Sequence, residues 1–227
     1  SVSGSRMVSG EIDLHQELES EISKTLGTED TIVFIGGFVT NVTTIATLVS
    51  EGDLILHDAL IHNSVIQGSI LSGARRQPFK HNDVGDLERI LKEVRDQYRR
   101  VLIIAEGVYS MDGDICDLPE MIRIKKKYNS LLMIDEAHSF GTIGDCGRGV
   151  GSHFQIAPSD VDIWMGTMSK SLASCGGYIS GKKELIQLLK YVSSGFMFSV
   201  GISPSNAASA LASLRVMTKS PALAEQL

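Results

Sequence analysis

The chain has 227 residues, of which 43% are hydrophobic and 21% charged, so it can bury a core and is not a disordered or collagen-like chain. Its 21 basic and 27 acidic residues leave a net charge of −6, which argues against nucleic-acid binding because that needs a basic face. The three cysteines have no metal-ligand spacing, and no apolar run is long enough to span a bilayer. We therefore expect a cytoplasmic protein without a metal site or a membrane span.

Apolar runs and amphipathic segments alternate along the chain. In chain order, we predict a helix over 14–26, a strand over 31–35, a helix over 38–49, a strand over 54–56, a helix over 64–71, a helix after Asp83, a strand over 101–105, a helix from Pro119, strands over 131–134 and 163–165, and helices over 182–192 and 205–217. In helix 182–192 we expect Leu185, Leu188, Leu189 and Val192 to face inward. Strands that alternate with helices indicate an α/β fold with a mostly parallel sheet.

Ligands of such a sheet bind beyond the carboxyl ends of its strands. The residues to inspect there are Gly37, Asp58, Glu106, Asp135 and Thr167. No Gly-x-Gly-x-x-Gly follows a strand, and no Walker Gly-Lys-Ser/Thr occurs. The commonest nucleotide-binding sites of a parallel sheet are therefore excluded.

Asp135 directly follows the buried strand 131–134, and His138 lies three residues further on. A carboxylate in this place is costly unless it has a cationic partner. It could cap the next helix, or it could face a protonated pyridine nitrogen with His138 in the same pocket. The residues alone leave both interpretations open.

Lys170 follows strand 163–165 among small residues and hydroxyls. A lysine beside an apolar run loses hydration, which lowers its pKa and makes its amine able to form a Schiff base. Alternatively, it opens a helix with its ammonium group in water. The hydroxyls of Thr167 and Ser169 suit a bound phosphate.

Two further segments could face the same pocket. Glu106 and Ser110 lie in the stretch that follows strand 101–105. His62 lies at the start of the helix that follows Asp58. Its imidazole could stack on a flat ring or could simply occupy a helix start.

Together these segments resemble the α-oxoamine synthases of the fold-type I aminotransferase superfamily. The matching stretches run in the family's order and cover nearly the whole chain: 4–10, 36–41, 57–62, 81–83, 106–114, 135–138, 147–149 and 166–170. Several motifs in one order are far more specific than any single motif. The resemblance implies the fold-type I large domain, with helices on both faces of the sheet, and pyridoxal 5′-phosphate (PLP) as cofactor.

The resemblance also implies the site residues. The catalytic residues would be Lys170 as the Schiff-base lysine, Asp135 as the partner of the pyridinium nitrogen, His138 on the ring 3′-oxygen and His62 stacked on the ring. The cofactor-binding residues would be Gly37, Phe38, His62, Glu106, Ser110, Asp135, His138, Thr167, Ser169, Lys170 and Ser199. Of these, Ser199 would reach the phosphate of a neighbouring subunit.

The implied reaction is the condensation of an amino acid with an acyl thioester, either acyl-CoA or an acyl-carrier protein, with loss of carbon dioxide. The alternatives are another fold-type I PLP enzyme, an aminotransferase or a lyase, and a non-catalytic partner subunit. The resemblance further implies a homodimer with shared active sites. Residues 1–227 are expected to be the PLP-binding large domain of a longer protein, without its N-terminal segment and its small C-terminal domain.

Overall fold

The computed structural model describes residues 2–220 and 222. Within these residues, the strands are Asp30–Phe34 (β1), Leu54–Asp58 (β2), Arg75–Phe79 (β3), Val101–Glu106 (β4), Leu131–Asp135 (β5), Ile163–Thr167 (β6) and Gly177–Gly181 (β7). The α-helices are Asp13–Leu26 (α1), Gly37–Leu48 (α2), Asn63–Ser72 (α3), Val84–Val94 (α4), Leu118–Lys127 (α5), Gly149–His153 (α6), Lys183–Val192 (α7), Ser194–Met197 (α8) and Pro204–Lys219 (α9). Short helical turns of other types lie at Arg6–Gly10, Arg95–Gln97, Asp145–Gly147 and Pro158–Asp160.

The strands form one sheet in the order β1-β7-β6-β5-β4-β2-β3. The five strands from β2 to β6 are parallel, whereas β7 runs antiparallel to both β6 and β1. Parallel pairing brings the carboxyl ends of β4 and β5 to one edge, where Glu106 lies in register with Asp135. The predicted α/β fold with a mostly parallel sheet is therefore confirmed.

Helices cover both faces of this sheet. In β4, Leu102 and Ile104 belong to the apolar core shared with α2, α3 and α7, whereas Ile103 and Ala105 belong to the core shared with α4 and α5. All four side chains are buried. This double burial explains why the strand is a continuous apolar run rather than an alternating one. A third apolar cluster packs α1 against α9.

The sequence analysis missed two strands. The edge strand β3 has the sequence Arg-Arg-Gln-Pro-Phe, of which only the last residue is buried, so it contains no apolar run. The strand β7 is buried but begins and ends with glycine. A Cβ atom at Gly177 would lie 2.4 Å from Thr40 Oγ1 and 2.8 Å from Gly37 Cα, so β7 passes the start of α2 too closely for any side chain.

The helix ends follow local signals in the sequence. α1 ends where Gly27 adopts the left-handed conformation, with φ of 72°, and donates its N–H to Ser23 O. Asp83 caps α4 by accepting a hydrogen bond from Asp86 N at 2.9 Å. Within the described residues, no helix is both long and apolar enough to cross a membrane.

The predicted inward face of α7 is partly wrong. Leu189 is buried as expected, but Leu188 and Val192 are about half exposed, and Ile186 is buried in their place. Ile186 and Leu189 lie three residues apart on one face of the helix, and this face packs against the sheet. The apolar periodicity of the segment alone did not distinguish this face from the one that carries Leu188 and Val192.

α2 and α3 pack most closely at a glycine. Gly68 of α3 faces α2, and a Cβ atom there would lie 3.1 Å from both Asn41 O and Ile45 Cβ. The close approach holds the start of α3, which carries His62 and Ser64, against the first turns of α2. This contact therefore fixes the geometry of one wall of the site.

Candidate active site

A cavity of about 160 Å³ lies beyond the carboxyl ends of β4, β5 and β6, between the starts of α2 and α3. Nine of the eleven predicted site residues line it: Gly37, Phe38, His62, Glu106, Asp135, His138, Thr167, Ser169 and Lys170. The sequence analysis missed four lining residues: Asn41, Ser64, Ala137 and Met165. The chain thus brings most of the predicted residues to one place.

Two buried carboxylates form the floor of the cavity. Asp135 accepts hydrogen bonds from Asn41 Nδ2 at 2.9 Å and from Ala137 N at 3.0 Å. Glu106 accepts one from His62 N at 2.7 Å. Burial, reinforced by the neighbouring charge of Asp135, raises the pKa of Glu106 to about 7. Near neutral pH a large fraction of Glu106 therefore holds a proton, and the neighbouring charge of Asp135 helps to retain it.

Lys170 and His138 form the reactive side of the cavity. The Lys170 amine is in direct contact with His138 Nε2. Burial lowers the pKa of Lys170, although the charges of Asp135 and Glu106 partly oppose this effect. Burial also lowers the pKa of His138, and the charge of Lys170 lowers it further. Both groups are consequently more available as neutral bases than they would be in water.

A polar cradle faces the start of α2. The first N–H groups of a helix have no partners within it, and here they belong to Gly37, Phe38 and the next residue. Thr167 Oγ1 lies 2.8 Å from Ser169 Oγ, and a Cβ atom at Gly37 would come within 2.8 Å of that Thr167 oxygen. Free N–H groups, hydroxyls and an absent side chain together form a site suited to a phosphate group.

Ser110 is not among the residues that line this cavity, so its predicted role stays a prediction. Ser110 is exposed in the turn after β4, and this turn is tied to another part of the chain. His81 bonds Asp58 Oδ1 at 2.8 Å, and Asn82 Nδ2 donates to Asp114 Oδ2 at 2.7 Å. The resembling stretches 81–83 and 106–114 thus bind each other.

The turn that follows β3 contains a histidine, His81, between two acids. Burial alone would lower the pKa of His81, but hydrogen bonds and charge from Asp58, and then from Asp114, raise it on balance. Both acids therefore favour the imidazolium form of His81.

Ser199 is also not among the lining residues, and it lies after α8, half-buried between the exposed Phe198 and Val200. Its predicted contact would be with a second subunit, so it stays a prediction.

A larger cavity of about 560 Å³ lies between the end of α1 and the segment 145–158. Its lining includes Gly27, Arg148 and Trp164, and it contains none of the eleven predicted site residues. Size alone would favour it as a binding site. The smaller cavity is the better candidate, because it joins a lysine, a histidine and two carboxylates at the strand ends.

Comparisons with known proteins agree with this site. The aminotransferase class I and II family matches residues 1–227, so the chain belongs to that family. The chain is 40% identical over 222 residues to 8-amino-7-oxononanoate synthase of Thermoanaerobacter pseudethanolicus, covering 98% of this chain and 56% of the relative. It is 44% identical over 209 residues to serine palmitoyltransferase 3 of Caenorhabditis elegans, covering 88% and 41%.

A solved structure of a serine palmitoyltransferase has the same fold as this chain. A serine palmitoyltransferase from S. paucimobilis with a bound PLP–myriocin aldimine superimposes with a TM-score of 0.94 at 32% identity, covering 99% of this chain and 56% of the other. These relatives confirm the predicted place among the α-oxoamine synthases and PLP as the cofactor of the family. The chain spans about half the length of the relatives that it matches.

The residues of the cavity fit PLP. Asp135 offers a carboxylate for a cationic ring nitrogen, and the Gly37 cradle offers the space and the donors for a phosphate. Lys170 offers an amine with a lowered pKa in the same cavity. Each polar part of the cofactor thus has a partner of matching chemistry.

The pKa of Glu106 predicts how the stability of the cofactor-free protein depends on pH. The raised pKa, about 7 against 4.5 in an unfolded chain, means that the contribution of Glu106 is fully present below pH 4.5 and is lost as the pH rises to about 7. Glu106→Gln cannot ionise, so we expect a flatter stability profile between pH 5 and 8, with a difference of up to about 3 kcal/mol. Urea unfolding at a series of pH values measures it.

Glu51→Gln, in an exposed turn, is the control for replacing a carboxyl group by an amide. Identical pH profiles for the wild type and Glu106→Gln would show that Glu106 ionises as an ordinary glutamate.

Proposed function

We propose that the protein condenses an amino acid with an acyl thioester, with loss of carbon dioxide, using PLP. The observation that carries the proposal is the single cavity that combines Lys170, His138 and Asp135 with the cradle at Gly37. Membership of the α-oxoamine synthases supports the reaction class. When bound, PLP would supply an electron sink for the charge that develops on the substrate α-carbon.

The floor of the cavity would orient the cofactor ring. Asp135 is buried and held by Asn41 and Ala137, so its carboxylate would face the ring nitrogen and keep a proton there. His62 would lie on the ring face, and His138 would bond the 3′-oxygen. Gly37, Phe38, Thr167 and Ser169 would hold the phosphate, the first two through backbone N–H groups.

Lys170 would move the proton of the reaction. Its lowered pKa gives its amine a larger neutral fraction near pH 7 than an exposed lysine has. The amine would take the proton from the substrate α-carbon and would return a proton after carbon dioxide has left. Asp135, and Glu106 in its ionised form, would stabilise the ammonium form in between, because these charges favour it.

We predict that Lys170→Ala abolishes the reaction while the protein still folds. With an amino acid and an acyl thioester, the wild type should release carbon dioxide and a free thiol in equal amounts. Lys170→Ala should release neither, and Lys182→Ala, at the exposed start of α7, should match the wild type. Borohydride reduction after PLP loading, followed by peptide mapping, should place the pyridoxyl group on Lys170.

Separate assays with acyl-CoA and with an acyl-carrier protein identify the donor. A keto acid product without thiol release would indicate an aminotransferase. A pyridoxyl group on any other lysine would refute the assignment of Lys170.

We further propose a homodimer in which Ser199 reaches the site of the partner. Phe198 and Val200, on either side of Ser199, are 83% and 49% exposed, whereas nearby Phe196 is buried against Phe34. An exposed aromatic ring beside a predicted site residue is typical of an interface between subunits. The domain assignment of residues 1–227 and the cytoplasmic location also stay predictions.

Light scattering tests this assembly. We expect twice the mass of one chain in the presence of PLP, because a ligand that binds only the assembled state stabilises it. Phe198→Ser should weaken the dimer, whereas Leu188→Ser, at an exposed position on α7, should not. A PLP-saturated protein that stays monomeric would contradict the shared-site arrangement.

A further inference from the structure

A continuous chain of hydrogen bonds joins Asp135 to His62 through two residues of neighbouring helices. Asn41 of α2 bonds Asp135 Oδ2 and Ser64 Oγ, each at 2.9 Å. Ser64 Oγ lies 2.7 Å from His62 Nδ1. Asn41 and Ser64 are each 1% exposed, so water does not compete for these bonds. We call these four side chains the relay.

The chemistry of each group fixes the direction of the relay. A carboxylate only accepts hydrogen bonds, so the Asn41 atom that faces Asp135 must be the amide NH₂ group. The same NH₂ group donates its second hydrogen to Ser64 Oγ. Asn41 Oδ1 is buried without a partner within the described residues. Turning the amide over would place that oxygen against the carboxylate, so the orphaned oxygen agrees with the assigned direction.

The hydrogen bonds at the other end of the relay fix the tautomer of the His62 imidazole. Ser64 Oγ accepts from Asn41 and keeps its own O–H as a donor for His62 Nδ1. The backbone N–H of Ser64 also points at Nδ1, at 3.2 Å, and an N–H can only donate. Nδ1 must therefore carry a lone pair, and the imidazole proton lies on Nε2.

We propose that Asn41 and Ser64 are positioning residues that couple Asp135 to His62 and fix His62 as its Nε2-protonated tautomer. The inference rests on the proposed function, because Asp135 and His62 are the two groups assigned to the edge and the face of the cofactor ring. The relay would align both groups before the cofactor binds. The backbone at His62 is held separately by Glu106, through the bond to His62 N.

A local helix cap is the competing explanation. His62 caps α3 by accepting the N–H of Ser64, and this contact alone would need neither Asn41 nor Asp135. The two explanations differ at Asn41, which lies on another helix. If Asn41 is removed, the Ser64 hydroxyl loses the bond that orients it and can turn to accept from Nδ1–H, so the relay predicts a mixture of tautomers. Under the local cap, the backbone N–H of Ser64 alone keeps the lone pair on Nδ1, and the tautomer does not change.

NMR of protein labelled with ¹⁵N-histidine and free of cofactor reads the tautomer directly. The chain has six histidines, and the His62 signals are identified by their loss in His62→Gln. We expect the wild type to show protonated Nε2 and unprotonated Nδ1. Asn41→Ala and Ser64→Ala should each give a mixture of tautomers, and Ser64→Thr, which keeps the hydroxyl, should restore the wild-type signals.

Two matched controls lie on the same helices. Ser69→Ala removes a buried hydroxyl of α3 that bonds Val65 O, and Thr44→Ala removes a buried hydroxyl of α2. Neither should change the His62 signals. A wild-type His62 protonated on Nδ1 would overturn the inference, and so would a tautomer that is unchanged in both Asn41→Ala and Ser64→Ala.

Cofactor affinity gives a second readout. Each loss of a positioning hydrogen bond should weaken PLP binding about three- to tenfold, and Ser69→Ala should leave it unchanged. Equal affinity in the relay variants and the wild type would refute the positioning role. A wild type that shows the expected tautomer but does not bind PLP would instead contradict the proposed function.

Discussion

Two carboxyl groups, buried side by side at the ends of two parallel strands, are the constraint on which the rest of the site depends. The register of β4 and β5 places Glu106 opposite Asp135, so the two carboxyl groups are held at the same edge of the sheet. Three features stabilise them: each accepts a hydrogen bond, the pKa of Glu106 is raised, and the charge of Lys170 lies nearby. A site that gathers buried negative charge in this way favours a cationic ring nitrogen as its ligand.

Helix packing brings hydrogen-bonding side chains to the carboxyl groups at the sheet edge. The close contact of α3 with α2 at Gly68 brings Ser64 within hydrogen-bond distance of Asn41, and Asn41 reaches down to Asp135. On the opposite side, the tight passage of β7 past Gly37 leaves the start of α2 open as a cradle. Backbone packing thus decides where the polar groups converge, and the side chains add the chemistry.

The sequence predicted the residues that follow strands, because polar groups after an apolar run are visible in the pattern. It did not predict Asn41 and Ser64, because their roles arise from contact between two helices and carry no local signal. Asn41 does not stand out by its polarity either, because Thr40, Thr43 and Thr44 are buried on the same helix. Ser110 was expected at the cofactor from a motif; it is exposed in the turn after β4 and is not among the lining residues, so its role stays a prediction.

The affinity for PLP in Asp135→Asn tests the central claim most directly, because it removes the charge and keeps the shape. Asp58→Asn is the matched control, since Asp58 is also a buried carboxylate at the end of a parallel strand but bonds His81 and the backbone outside the cavity. We predict that PLP binding weakens about a hundredfold or more in Asp135→Asn and is little changed in folded Asp58→Asn. Equal affinity in Asp135→Asn and the wild type would contradict the account.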